Sequence, residues 1–366
     1  MRLSYLESLK HLLQENNLDA MLLCPSEELK FLTGFTPMMC ERFQGLFVRQ
    51  SGNPFYVCNL LYAAEMEHAF AGEVPVYAWF DNDGMWESVV PLLEHEGLSG
   101  ASIGVNSTAP AFNVLEITAH MNVHFVNSKP LLEEWRIHKS EEELQHLRKA
   151  ASIADAAYEP LLQYIRPGIT EAQVRDFLFT DMRKGGGKSP WAIVASGPNS
   201  SYPHYSGSER VLQIGDAIVL DYGCAYEEMQ SDMSRTVFLG SITDEQREIY
   251  DLVDRAQLAS QQAAKEGAWI PDVDQASRTV LDEKGYAKTL INRVGHGIGY
   301  MMHEAPDIKK CNPRNLERGM VFSVEPGVYL PGRFGMRIEN IVAINHQGET
   351  EILNKASREL KVISVQ

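Results

Sequence analysis

Along the first 125 or so residues, short apolar runs (DAMLLC, LFVRQ, PFYVCN, VPVYAW, ASIGVN, VHFVN) alternate with segments of helical period such as LLYAAEMEHAF and MWESVVPLLEHE. Short strands interleaved with amphipathic helices predict an α/β layer domain. The chain opens on a helix, because Leu3, Leu6, Leu9, Leu12 and Leu13 fall on one face of a 3.6-residue period. Within the polar stretch NSKPLLEEWRIHKS the pattern changes, which divides the chain into a smaller domain, residues 1–128, and a larger one, residues 129–366.

The second domain begins with helices. Ser140 with Glu143, Thr170 with Gln173 and Thr243 with Gln246 each have the spacing of a capping box, in which a hydroxyl and a carboxylate or amide reciprocally satisfy the first free backbone N–H groups. Leu144, Leu147, Ala151, Ala154 and Tyr158 follow the first of these at three- and four-residue spacing. The strands come late: WAIVAS, DAIVLDYG, SRTVFLG, MVFSVEPGVYL and MRIENIVAINHQGETEIL are rich in β-branched residues, and NHQGE suits a hairpin turn. Helices flanking a largely antiparallel sheet predict an α+β domain. No repeat at a short fixed period is visible.

Composition narrows the partners. At 366 residues the chain exceeds the usual span of a single core, so two domains are expected. No run of about 18 apolar residues is present to span a membrane, and MRLSYLESLKHLLQENNLDA lacks a signal peptide's apolar centre. The five cysteines (24, 40, 58, 224 and 311) form no CxxC pair, which argues against a thiolate zinc site or a disulfide framework and fits a reducing cytoplasm. A net charge of -16 disfavours nucleic acid or an anionic membrane as partner and makes a cation the natural ligand.

Four acids lie inside or at the ends of segments that read as buried strands: Asp221 after AIVL, Asp232 before MSRTVF, Glu325 in VFSVEPGVYL and Glu339 in MRIENIVAI. Clustered buried carboxylates are very unfavourable without compensating cations, and these segments carry too few arginines to supply them. Residues 216–223 can pair with 233–239, and 321–330 with 335–344, so one shared site is possible. With His296 the set becomes four carboxylates and an imidazole, a hard, oxygen-rich group that favours manganese or a similar divalent ion. Four negative charges balance two divalent cations and leave room for a bridging hydroxide, as in two-metal hydrolases.

The pieces VLDYGCAYEEMQSDMSRT, GHGIGYMMHEAP, VFSVEPGVYLPG and GMRIEN, in that order, strongly resemble the metallopeptidases of the pita-bread fold, which include Xaa-Pro dipeptidases (prolidases), Xaa-Pro aminopeptidases and methionine aminopeptidases. LDAMLLCPSEELKFLTGF and WRIHKSEEELQHLRKAASIAD resemble the start and the interdomain helix of prolidase-type members, so the likeness covers nearly the whole chain. It implies a pita-bread (creatinase/aminopeptidase-like) catalytic domain behind a smaller α/β domain. It also implies two metal ions: Asp232 and Glu339 bridging both, Asp221 on one, His296 and Glu325 on the other. Mn2+ is the preferred ion, with Co2+ or Zn2+ as alternatives. His204, in NSSYPHYSG, and His303, in HEAP, match two histidines that contact substrate or the tetrahedral intermediate.

The implied reaction is hydrolysis of the bond before proline in small peptides, carried out by a cytoplasmic homodimer. Glu325 is suited to move the proton from nucleophile to leaving nitrogen, and His204 or His303 to stabilise the oxyanion. Arg337, two residues from Glu339, is placed to orient that ligand or to bind a substrate carboxylate. Two departures from the family pattern stand out. Glu228-Met229 replaces Gly-Tyr before the Ser231-Asp232 pair, and Met38, Met39 and Cys40 replace more polar residues in FTPMMCERFQGLFV, the segment that resembles the loop approaching a partner's active site in dimeric prolidases. An Xaa-Pro aminopeptidase or a metal-dependent lyase of the same fold stays open as an alternative. GHGIG does not complete a dinucleotide fingerprint.

Overall fold

The computed structural model describes residues 1–365 and divides into two compact units, Met1–Arg136 and Ile137–Gln366. In the first, β1 (Ala20–Leu23), β2 (Gly45–Arg49), β3 (Phe55–Asn59), β4 (Val76–Trp79), β5 (Ser102–Val105) and β6 (His124–Asn127) form one mixed sheet in the order β4-β3-β2-β1-β5-β6. Each corresponds to one of the apolar runs. Strand alternation builds two cores: Met21, Leu23, Leu46 and Val48 face one way, Ala20, Leu22, Phe47 and Val57 the other. Helices α1 (Leu3–Glu15), α2 (Glu27–Thr33), α3 (Leu60–Phe70), α4 (Met85–His95), α5 (Ala111–His120) and α6 (Lys129–Ile137) accompany the sheet. Along α1, Leu6, Leu9 and Leu13 are buried, but Leu3, its first residue, is exposed. The division between units falls at the end of α6, one helix beyond the position read from the sequence, since Leu132 of α6 belongs to the first unit's core.

The second unit contains α7 (Glu141–Tyr164), α8 (Glu171–Lys184), α9 (Asp244–Ala263) and α10 (Ile270–Asp282). The capping boxes at Ser140, Thr170 and Thr243 are all formed, which fixes where α7, α8 and α9 start. One sheet contains β7 (Lys188–Ser196), β8 (Ala217–Tyr226), β9 (Met229–Gln230), β10 (Met233–Leu239) and, added parallel to β10 from the chain's end, β18 (Lys361–Ile363). A second runs β12-β11-β13-β16-β17, formed by β11 (Gly295–Gly297), β12 (Glu304–Ile308), β13 (Val321–Val324), β16 (Asn340–Ile344) and β17 (Thr350–Ile352). β14 (Gly327–Leu330) and β15 (Phe334–Arg337) form a separate two-stranded ribbon. The NHQGE turn joins β16 to β17, with the Asn345 side chain accepting from the N–H groups of Gln347 and Glu349.

Alternation decides which residues reach the space between these sheets. On β8, Ile218, Leu220, Tyr222 and Cys224 pack in the core with α7 and α8, which turns Asp221 to the opposite face. Across the ladder Asp221 pairs with Ser234, so β10 presents Ser234 and Thr236 on that same face while Met233 and Val237 join the helical core.

Candidate metal centre

β13 and β16 share one register with β14 and β15: Val324 pairs with Asn340, and Gly327 with Arg337. One rung past Val324 and Asn340, Glu325 stands opposite Glu339, and there the ladder breaks. Pro326 has no N–H to contribute, and both backbones are diverted. Glu325 N–H donates to the Val294 carbonyl beside β11 (2.7 Å), and Glu339 N–H to the Ser234 carbonyl of β10 (3.1 Å). The break therefore places two carboxylates where strands from both sheets meet.

His296 enters from β11. An added Cβ at Gly295 would lie 1.9 Å from the Ser323 carbonyl oxygen, and one at Gly297 would lie 2.1 Å from that of Ala305, so only glycine allows these backbones to pass so closely beside the histidine. The His296 Nδ1 lies 3.0 Å from the Gly297 carbonyl, a partner that takes the Nδ1 proton and leaves the Nε2 lone pair free. Nε2 lies 3.4 Å from Glu325 Oε1 and 3.6 Å from Asp232 Oδ2. Burial, reinforced by the neighbouring His303, pushes the imidazole pKa down to about 3, so the ring is neutral and ready to ligate.

The five residues expected as ligands are thus brought together. Donor atoms of Asp232, His296 and Glu339 lie within 4.8 Å of one another, and all three are buried. Asp221 joins through Ser234, whose hydroxyl lies 2.9 Å from Asp221 Oδ1 and 2.8 Å from Glu339 Oε2. One hydroxyl carries one proton and can satisfy only one of those oxygens. Asp232 Oδ1 and Glu339 Oε1 are buried with no hydrogen-bond partner among the described residues. Such orphaned anionic oxygens cost several kcal/mol unless a cation meets them. The donor set fits divalent metal ions, and the orphans belong to the two residues that the family resemblance implies as bridging.

Arg337 is the buried cation of the group. It donates from Nη2 to Asp221 Oδ2 (2.5 Å), from Nε to the Ser234 hydroxyl (2.8 Å) and from Nη1 to the Tyr329 hydroxyl (2.7 Å). The expected role of orienting Glu339 is corrected here: β15 ends at Arg337, the chain crosses to β10 before Glu339, and the guanidinium bonds Asp221 and Ser234 instead. At 2% exposure, with every nitrogen engaged, Arg337 holds Asp221 and Ser234 rather than receiving a substrate carboxylate. Ser234 and Tyr329 escaped the sequence reading. Ser234 has a signal in retrospect, since it lies two residues after Asp232 and opposite Asp221.

His204 and His303 are exposed, with rings nearly parallel at a centroid distance of 6.3 Å. The His303 ring stands edge-on to His296 at 4.2 Å. Glu304 buries its carboxylate against Lys139 (2.5 Å) and accepts from the Met301 N–H, which fixes the turn that presents His303.

Burial, with mutual repulsion among the carboxylates, raises the pKa of Asp232 and Glu339 well above the ordinary range, and burial lifts Glu325 from 4.5 to about 7. A folded-state pKa raised above the unfolded value gives stability that is complete below the unfolded pKa and is lost as pH rises through the folded one. Histidine pKa shifts act in the opposite sense, but only below about pH 6.5, where the unfolded-state imidazole protonates. The metal-free protein is therefore expected to melt at progressively lower temperature from about pH 6.5 to 8, and saturating divalent metal should flatten that slope. Thermal unfolding in chelator and in added Mn2+ measures it; a metal-free melting temperature that rises over this window would contradict the cluster's charge state.

Residues 145–346 match the model of metallopeptidase family M24, and residues 6–138 that of the creatinase/prolidase N-terminal domain. The chain belongs to metallopeptidase family M24, with the pita-bread catalytic domain of that family behind an α/β domain. It is 34% identical to a probable dipeptidase, PepE, of Mycobacterium tuberculosis, over 95% of this chain and 93% of that protein. It is 32% identical to the Xaa-Pro dipeptidase of Lactobacillus delbrueckii subsp. lactis, over 98% of this chain and 99% of that one. The crystal structure of dipeptidase PepE from Mycobacterium ulcerans superimposes with a TM-score of 0.92 at 32% identity, covering 99% of this chain and 98% of that one.

Proposed function

We propose that this metallopeptidase is a Xaa-Pro dipeptidase that uses two divalent ions, Mn2+ by preference, held by Asp221, Asp232, His296, Glu325 and Glu339. The observation that carries the metal centre is the pair of orphaned oxygens, Asp232 Oδ1 and Glu339 Oε1, in a buried group whose carboxylates, among the described residues, touch no side-chain cation other than Arg337. Support for the substrate comes from full-length relatives named Xaa-Pro dipeptidase.

Bound ions supply Lewis acidity, lowering the pKa of water and polarising the scissile carbonyl. The chain's own groups do the rest. Glu325 has a side chain 14% exposed against 5% for Asp232, so it is the carboxylate open to the substrate side, and it moves the proton to the leaving proline nitrogen. His204 and His303 stand at the exposed entrance, and each imidazole can donate an N–H to the developing oxyanion. Arg337 fixes Asp221 and never meets substrate.

His204→Ala is expected to lower kcat on Leu-Pro by about 10²-fold, the usual effect of losing one oxyanion donor, with two metals still bound; unchanged turnover removes His204 from the mechanism. The length limit is tested with Leu-Pro against Leu-Pro-Gly. Hydrolysis of the dipeptide alone is expected, and equal rates would make the enzyme an aminopeptidase. A homodimer is part of the same reading, supported by the exposed Met38 and Met39 in the loop that resembles a partner-facing segment. Among the described residues no helix is long and apolar enough to cross a membrane, and the cysteines are free, both compatible with a cytoplasmic enzyme.

A further inference from the structure

Among the described residues Arg235 is the largest fully buried side chain, at 1% exposure, yet it touches no carboxylate there. It lies on the α7 face of β10, opposite Ser234, and spends its donors on five neutral acceptors. Nη1 donates to the carbonyls of Ser234 (2.9 Å) and Glu339 (2.6 Å). Nη2 donates to Asn340 Oδ1 (3.0 Å) and the Ala356 carbonyl (2.8 Å), and Nε to the Ser357 carbonyl (2.9 Å). One guanidinium therefore joins β10, the crossover that carries Glu339, and the segment after β17.

That segment is pinned from every side. Leu353 N–H donates to the Ile341 carbonyl, and Asn354 Oδ1 accepts from Ile341 N–H (2.7 Å). Asp155 of α7 accepts from the N–H groups of Lys355 and Ala356, and Tyr250 of α9 donates to the Arg358 carbonyl (2.9 Å). Asp254 and Gln257 of α9 hold the Arg358 guanidinium. Residues 353–358 thus form a strap between α7 and α9, and its contact with the site runs through Arg235.

We propose that this strap and Arg235 set the affinity of the metal centre by fixing the backbone of Glu339. Where the β13–β16 ladder has broken, Glu339 is held by its N–H on β10 and its carbonyl on Arg235, and its carboxylate direction follows from those two bonds. Arg235 is a positioning residue. The inference rests on the metal-centre reading above and is independent of which peptide is cleaved.

The test is Mn2+ affinity, measured by chelator competition well below the unfolding transition, in wild-type protein and in Arg235→Met, Arg235→Lys and Asn354→Ala. Loss of a group supporting a metal ligand typically weakens binding about 10–100-fold. That is the range expected for Arg235→Met, with smaller losses for Arg235→Lys, which keeps the charge but has only three donors, and for Asn354→Ala, which loosens the strap with Arg235 in place. Arg278→Met, which removes a partly buried ion pair with Asp274 in α10, controls for destabilisation and is expected to leave Mn2+ affinity unchanged. If Arg235→Met and Asn354→Ala bind Mn2+ like the wild type, the proposal fails even if both melt early. If wild-type protein binds no Mn2+, it is the metal-centre reading that falls.

Discussion

Asp232→Asn is expected to bind fewer than two metal ions per chain and to lose at least about 10²-fold in kcat on Xaa-Pro dipeptides, while its metal-free form melts at a higher temperature than the wild type. The two effects have opposite signs because they share a cause. Asp232 is buried beside Glu339, Asp221 and Glu325, and burial and these like charges push its pKa well up. An amide of the same shape removes that repulsion and stabilises the empty site. The same amide offers a neutral oxygen where the ions need an anionic one, so binding weakens and the rise in melting temperature on metal addition shrinks. A purely structural role for Asp232 would give a less stable variant that keeps its metals. Full metal stoichiometry in the purified variant would therefore remove the bridging assignment.

Arg337→Met should do the reverse to the empty protein. Asp221 and Arg337 form a buried pair at 2.5 Å, and the same guanidinium donates to Ser234, which in turn serves Asp221 and Glu339. Removing one partner of a buried ion pair typically costs about 3–5 kcal/mol, because the remaining charge stays desolvated and unpaired. The upper part of that range is expected here, since Asp221 would then face three further carboxylates with no cation in contact. Saturating divalent metal should recover part of the loss by binding only the folded state. Denaturant unfolding with and without Mn2+ reads both quantities. A metal-free stability equal to wild type would show that Arg337 is not the counter-charge of the cluster.

Much of this could be read in the sequence because it depends on local rules. Each apolar run of the first unit became a strand, and each capping box formed, since alternation and N-terminal hydroxyls act within a few residues. Asp221 and Asp232 were visible as carboxylates in otherwise apolar strands. What escaped depends on long-range closure. Nothing in GMRIEN reveals that the ladder breaks between Arg337 and Asn340, because the break arises where Pro326 withholds an N–H on the facing strand and β10 offers the Ser234 carbonyl instead. For that reason Arg337 reaches Asp221 and not Glu339. Arg235 gave no signal either: an arginine in a β-branched strand reads as solvent-facing until strand β18 and residues 353–358 cover it. The helix α1 periodicity included Leu3, but a helix's first residue lies at the edge of the face it shares.

On the proposed function, this buried cluster is a two-ion centre that hydrolyses the bond before proline. The most direct measurement strips the protein with chelator, returns Mn2+ in steps, and follows Leu-Pro hydrolysis against bound metal per chain. The expected result is no hydrolysis in the stripped protein and recovery that saturates as two ions bind. Full activity in the stripped protein, or two ions bound with no Xaa-Pro dipeptide cleaved, would contradict it.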